Sequence, residues 1–288
     1  MALKQVRSVS ADAQPHWVGD GFPVRSLFTY QNSAEFDPFL LLDYAEPYEF
    51  APASAVRGVG EHPHRGFETV TIVYQGELEH KDSAGNHGSI GPGDVQWMTA
   101  AGGVVHEEFH SERFTRSGGA FEVVQLWVNL PASEKTAKPR YQGILNQQIP
   151  TVTLPSGAGS VRVIAGEFDG KQGPAKTVTP VRLWDVQLAK GAQVKLPTPA
   201  GFTTVLVVQR GGVKLTGGRS ANSVSLVVFE RDGDEIELEA IEATRALLLC
   251  GQPIGEPVVA HGPFVMNKPE EIRQAFLDYQ SGQMGRIG

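Results

Sequence analysis

Two short stretches hold the residues best suited to chemistry. In "GVGEHPHRGFETVTIVYQGELEH", residues 58–80, His62 and His64 stand two apart around Pro63. On an extended backbone that spacing puts both imidazoles on one face, and the proline opposes a helical alternative. In "GGVVHEEFH", residues 102–110, His106 and Glu108 repeat the spacing and His110 continues the same face. Two such pairs on neighbouring strands of a barrel can converge as four inward ligands. Three imidazoles and one carboxylate suit a divalent first-row transition metal, with positions left open for a substrate or dioxygen. The competing outcome is a set of histidines that are solvated or satisfied by hydrogen bonds.

The choice of carboxylate is a matter of reach. Glu68 shares the parity of His62 and His64, but six residues of straight strand would hold it ~20 Å from His62. Only a sharp bend, for which Gly66 is available, would bring it in. Glu108 accompanies His106 without a bend, and Glu107 points the other way. Glu108 is the expected fourth ligand. His80 and His87 sit among charged or small polar residues and are expected to be solvated. His16 has no partner in view, and His261 suits turn or capping hydrogen bonds. Gln125 has the parity of Trp127 and Asn129, so it either satisfies backbone or points into a cavity. Phe67 and Met98 are the other candidate pocket residues, although these two, with Trp97 and Phe121, also read as core.

The elements that must position these groups are strands. Short β-branched or alternating runs such as "TVTIVYQG", "VVQLWVNL", "TTVLVVQ" and "RALLLCG" recur between glycines and prolines, 33 and 19 in all. That pattern reads as an all-β sandwich or barrel. One helix is expected near the end, in "NKPEEIRQAFLDYQSG", with Asn267 as N-cap, Gly282 as stop and Ile272, Ala275, Phe276 and Tyr279 on its buried stripe. The net charge of −7 and the absence of a basic cluster argue against nucleic-acid or anionic-membrane surfaces. Cys250 is the single cysteine, so no internal disulfide is available, and its apolar run predicts a buried thiol. The opening residues lack a secretory apolar core, and no run reaches the ~20 apolar residues that span a bilayer. A cytoplasmic protein is expected.

The two halves look like copies. Strand, turn at Gly76 or Gly211, strand, then a Gly-Asp turn (Gly93-Asp94, Gly233-Asp234) occurs in each. Offsets that lead from Gly76 back to His62 and His64 lead from Gly211 to Pro197 and Pro199, and the step from Asp94 to His106 leads from Asp234 to Ala246. The second copy is therefore expected to be scaffold without ligands. The expected division is residues 1–135, a connector over 136–150, and residues 151–288 with the terminal helix.

"EHPHRGFETVTIVYQG", "GPGDVQWMTAAGGVVHEE", "VQLWVNLPASEK", "HGPFVMN" and "FDPFLLLDY" together resemble the pirin family of the cupin superfamily, from about residue 20 to 280. The resemblance implies a bicupin, two β-sandwich barrels with metal in the N-terminal one only. The family's ligand motif falls on His62, His64, His106 and Glu108. The implied cofactor is one divalent transition metal, Fe(II) first, with Mn, Ni, Cu or Zn as alternatives. His110 stands where a non-histidine residue is expected, either as an added ligand or as a rim residue. Members of the family cleave flavonols such as quercetin with dioxygen and release carbon monoxide, with Glu108 here as ligand and proton acceptor. The alternative implied is a redox-dependent regulator that binds a protein partner.

Overall fold

Strand Leu78–Asp82 is alternately buried and exposed from Leu78 onward, the period of a strand with one face inward. Phe67–Gln75 is buried at its first seven positions, because both of its faces are covered. Sorting of this kind builds the whole chain, whose residues 2–288 are described by a computed structural model.

The chain divides into two units. One comprises Gln14–Asn146 with Ile254–Gly288. Its seven-stranded antiparallel sheet runs in the order Arg140–Ile144, Val95–Thr99, Phe67–Gln75, Gly119–Asn129, Phe39–Phe50, Phe22–Phe28, Pro15–Val18. Its four-stranded sheet runs Gly58–His64, Val104–His110, Leu78–Asp82, His87–Ile90. The other unit, Met1–Ala13 with Gln147–Pro253, repeats a seven-stranded and a four-stranded sheet. The fold is all-β with a C-terminal helix, built from two double-sheet barrels.

The units differ from the division by chain order. Val6–Ser10 pairs with Ser225–Phe229, so the first strand of the chain completes a sheet of the second unit. Arg140–Ile144, inside the expected connector, pairs with Val95–Thr99 and closes a sheet edge. The terminal helix, Pro269–Gln280, packs Ile272 and Ala275 with Val105, Phe264 and Met266 of the first unit. Lys268, not Asn267, is its N-cap, and Glu271 accepts from the backbone N–H groups of both, each at 3.0 Å. Tyr279, expected on the buried stripe, is 38% exposed.

The internal repeat also needs one correction. Ala246 lies on Thr244–Gly251 in the seven-stranded sheet; the strand that matches Val104–His110 in sheet order is Glu235–Ala240. Loops of different length between the copies make fixed offsets slide. The matching strand pair, Gln193–Pro197 with Glu235–Ala240, places Val194, Leu196, Ile236 and Leu238 in an aliphatic core. Among the described residues no helix is long and apolar enough to cross a membrane.

Candidate metal centre

His62 and His106 face each other across the antiparallel pair Gly58–His64 and Val104–His110. His64 closes the first strand, and the chain then crosses through Arg65 and Gly66 into the other sheet at Phe67. Gly66 has φ +91°, and a Cβ there would stand 1.9 Å from the carbonyl oxygen of Val265; only glycine makes this corner. The buried Lys135 ammonium fastens it, donating to the carbonyls of Gly66 (2.6 Å) and Val265 (3.0 Å) and to Asn129 Oδ1 (2.7 Å). The corner is the sharp bend Gly66 offered, yet Glu68 joins neither ligand group. Its Oε1 accepts from Thr99 Oγ1 at 2.6 Å, and burial pushes its carboxyl up to about 7.

The three rings of His62, His64 and His106 meet with centroids 4.2–4.8 Å apart, and each brings one nitrogen within 4.8 Å of the others. Glu108 enters through a second, overlapping triad, His80–His106–Glu108, with the same reach. Burial first, and then the neighbouring imidazoles, push His64 and His106 well below the usual histidine range. Both are neutral at pH 7 and keep a lone pair. Nδ1 of His64 and Nε2 of His106 are buried with no hydrogen-bond partner among the described residues, a costly state for a polar atom unless it has another use. His62 Nδ1 lies 2.8 Å from the Gly60 carbonyl, which makes Nδ1 the donor and leaves Nε2 as base. Imidazole bases plus a carboxylate, two of them orphaned in the interior, fit a divalent first-row metal.

A cavity of about 300 Å³ opens on His62, His64 and Glu108. Phe22, Leu41, Val59 and Trp127 supply apolar wall, and Asp43 and Gln125 add polar groups. Gln125 lines the cavity, and its Oε1 accepts from the side chain of Thr71, through Oγ1 at 2.6 Å, rather than from backbone. Asp43 is buried, which raises its carboxyl against the effect of a hydrogen bond from Ser26 at 2.5 Å. Phe67 and Met98 are not in the lining. Phe67 stacks beneath Trp127 at 4.2 Å between centroids, and Met98 packs with Ala100 and Val104.

His80, expected in solvent, is 2% exposed and sits against His106. Strand parity is the signal that finds it, since Leu78, His80 and Asp82 alternate inward past Glu79 and Lys81. Gln96 was also missed; its Nε2 donates to Glu108 Oε1 at 2.9 Å, and Thr71 Oγ1 reaches the same oxygen at 3.2 Å. His110 is neither ligand nor rim. It is buried among Phe50, Phe114 and Phe121 and its Nε2 donates to the Gly21 carbonyl at 2.9 Å.

The Pirin family model matches residues 21–128, and the model for the Pirin C-terminal cupin domain matches residues 183–285. The chain belongs to the pirin family. A Pseudomonas aeruginosa protein provisionally named a quercetin 2,3-dioxygenase is 53% identical over 99% of each chain. Human pirin is 37% identical over 93% of this chain and 89% of its own. A crystal structure of a quercetin 2,3-dioxygenase from Acinetobacter baumannii covers all of both chains at 48% identity with a TM-score of 0.96. The two-barrel architecture is thus the pirin one.

Proposed function

We propose that this pirin is a metal-dependent dioxygenase that opens the heterocycle of flavonols such as quercetin and releases carbon monoxide. His62, His64, His106 and Glu108 hold one divalent transition metal, Fe(II) first among Mn, Ni, Cu and Zn. The observation that carries the reading is the meeting of orphaned imidazole nitrogens with an apolar cavity of about 300 Å³, at the small end of the roughly 300–1,000 Å³ of small-molecule sites. The names of two close relatives point to the same substrate class.

A metal held there supplies Lewis acidity for the chelating 3-hydroxy-4-keto edge and, when redox-active, a path to dioxygen. The flavonol provides the electrons for its own cleavage, so no separate reductant is needed. Both hydrogen bonds that hold Glu108 land on Oε1, which leaves Oε2 to take the 3-hydroxyl proton as general base. Trp127, backed by Phe67, offers a flat aromatic wall, and Asp43 and Gln125, which also line the cavity, would meet the substrate's other hydroxyls. A cytoplasmic location fits the single free thiol, Cys250, which is buried.

Quercetin turnover by metal-loaded protein, in air and under anaerobic conditions, tests the reading. Loss of quercetin with carbon monoxide release in air only is the expected result. Intact quercetin in air with full metal loading would favour the regulator that binds a protein partner.

A further inference from the structure

We propose that buried Asp82 and His80 form a positioning relay that fixes the tautomer of His106 and aims its Nε2 lone pair at the metal. The inference rests on the metal-centre reading, but its first test needs no metal.

The relay lies behind the ligands. Asp82 ends its strand and is 5% exposed. Its Oδ1 accepts from the backbone N–H groups of Ala84 and Asn86, both at 2.9 Å, and its Oδ2 accepts from Asn86 Nδ2 at 2.9 Å. Oδ2 also meets His80 Nε2 at 3.3 Å. Three N–H donors, from Ala84 and Asn86, thus converge on this carboxylate and mark it as the acceptor of the cluster. An ionised carboxylate only accepts. The His80 proton therefore sits on Nε2, and Nδ1 is the acceptor.

That nitrogen meets His106 Nδ1 at 3.4 Å. Two lone pairs would repel each other there, and His80 has placed its proton elsewhere, so the proton of His106 is assigned to Nδ1. The remaining nitrogen, His106 Nε2, is the buried atom that finds no partner. The assignment from Asp82 inward and the orphaned atom thus agree independently. Both contacts are at the long end of the hydrogen-bonding range. Gln96 supports the same polarity: its Nε2 stands 3.4 Å from His80 Nδ1 while its Oε1 accepts from Tyr141 at 3.3 Å. Tyr141 stacks on His80 with 5.0 Å between centroids and 13° between planes, which fixes the plane of the ring.

The rival arrangement makes His80 a ligand itself, since it shares a triad with His106 and Glu108. Long-range ¹H–¹⁵N spectra of full-length, ¹⁵N-histidine-labelled, metal-free protein are expected to show His80 as the Nε2–H tautomer and His106 as Nδ1–H. In Asp82→Asn the new amide can donate to His80, so both tautomers should reverse. Zinc affinity should then fall about 10–100-fold, the usual cost of losing an outer partner of a ligating histidine. His80→Asn keeps a donor toward Asp82 and an acceptor toward His106 and should hold zinc better than His80→Phe by a similar factor. That pair serves if Asp82→Asn fails to fold. An Nε2–H tautomer at His106 in the parent, equal zinc affinity in His80→Asn and His80→Phe, or a metal-bound signal from His80 in zinc-loaded protein would each overturn the relay. Absence of zinc binding in a parent with the expected tautomers would instead count against the metal centre.

Discussion

Arg65 Nη1 and Asp278 Oδ2 lie 2.7 Å apart, joining the residue after His64 to the C-terminal helix. The same guanidinium donates through Nε to the Gly102 carbonyl at 2.7 Å, just ahead of the strand that carries His106 and Glu108. One side chain thus ties both strands that carry the candidate ligands to a helix more than 200 residues beyond Arg65 in sequence.

Both partners are about one-eighth exposed, 13% and 12% at the side chain, so solvent screens the pair only in part. Asp278→Ala is expected to cost about 1–3 kcal/mol of stability and to weaken metal retention. The pair Arg273–Glu270 on the same helix is 69% and 68% exposed, and its removal should cost no more than about 1 kcal/mol. Urea unfolding of the two variants provides the comparison. Equal effects would show that Arg65 does not fasten the ligand strands.

The carefully purified protein should hold about one metal per chain. His62→Ala combined with His106→Ala removes two of three convergent imidazoles, and elemental analysis should find it nearly empty. Full occupancy in the double variant would move the centre elsewhere.

The legible part of the site was the part encoded by local parity. Alternation sets His62 with His64, and His106 with Glu108, on one face of their strands, and the structure pairs His62 with His106 across two strands. His80 obeys the same rule, but Glu79 and Lys81 flank it and disguised an inward position as a charged strand end. His110 kept the parity of His106, yet the ladder slips between His106 and Glu108 and His110 ends in an aromatic cluster. The barrels and the duplication were readable from strand patterns. Which unit owns Val6–Ser10 or the terminal helix was not, because edge pairing and helix docking depend on contacts between residues far apart in the chain.

Glu108→Gln separates the two roles given to that residue. The amide oxygen can still accept from Gln96 and Thr71, as Oε1 does now, so size and orientation persist while the basic carboxylate is gone. Some metal should remain bound. Turnover normalised to bound metal should fall by roughly 10²–10⁴-fold, the typical contribution of a general base. Parent-like normalised turnover would remove Glu108 as the proton acceptor.

Glu68 makes stability depend on pH in a direction opposite to that of a salt-bridged carboxylate. Its ordinary value is 4.5, whereas burial raises it to about 7 in the fold, opposed by the Thr99 hydrogen bond. The folded state therefore binds this proton more tightly than the unfolded chain does. The benefit is complete below pH 4.5, falls away as pH rises, and is gone above about 7. The gap corresponds to about 3 kcal/mol at most. Glu68→Gln keeps an oxygen for Thr99 and cannot ionise, so it escapes this loss. Relative to the parent it should gain stability from pH 5 up to about pH 7 and level off above that, read by urea unfolding at pH 5 and pH 8. A difference between parent and variant that does not change with pH would mean that Glu68 titrates normally in the folded protein.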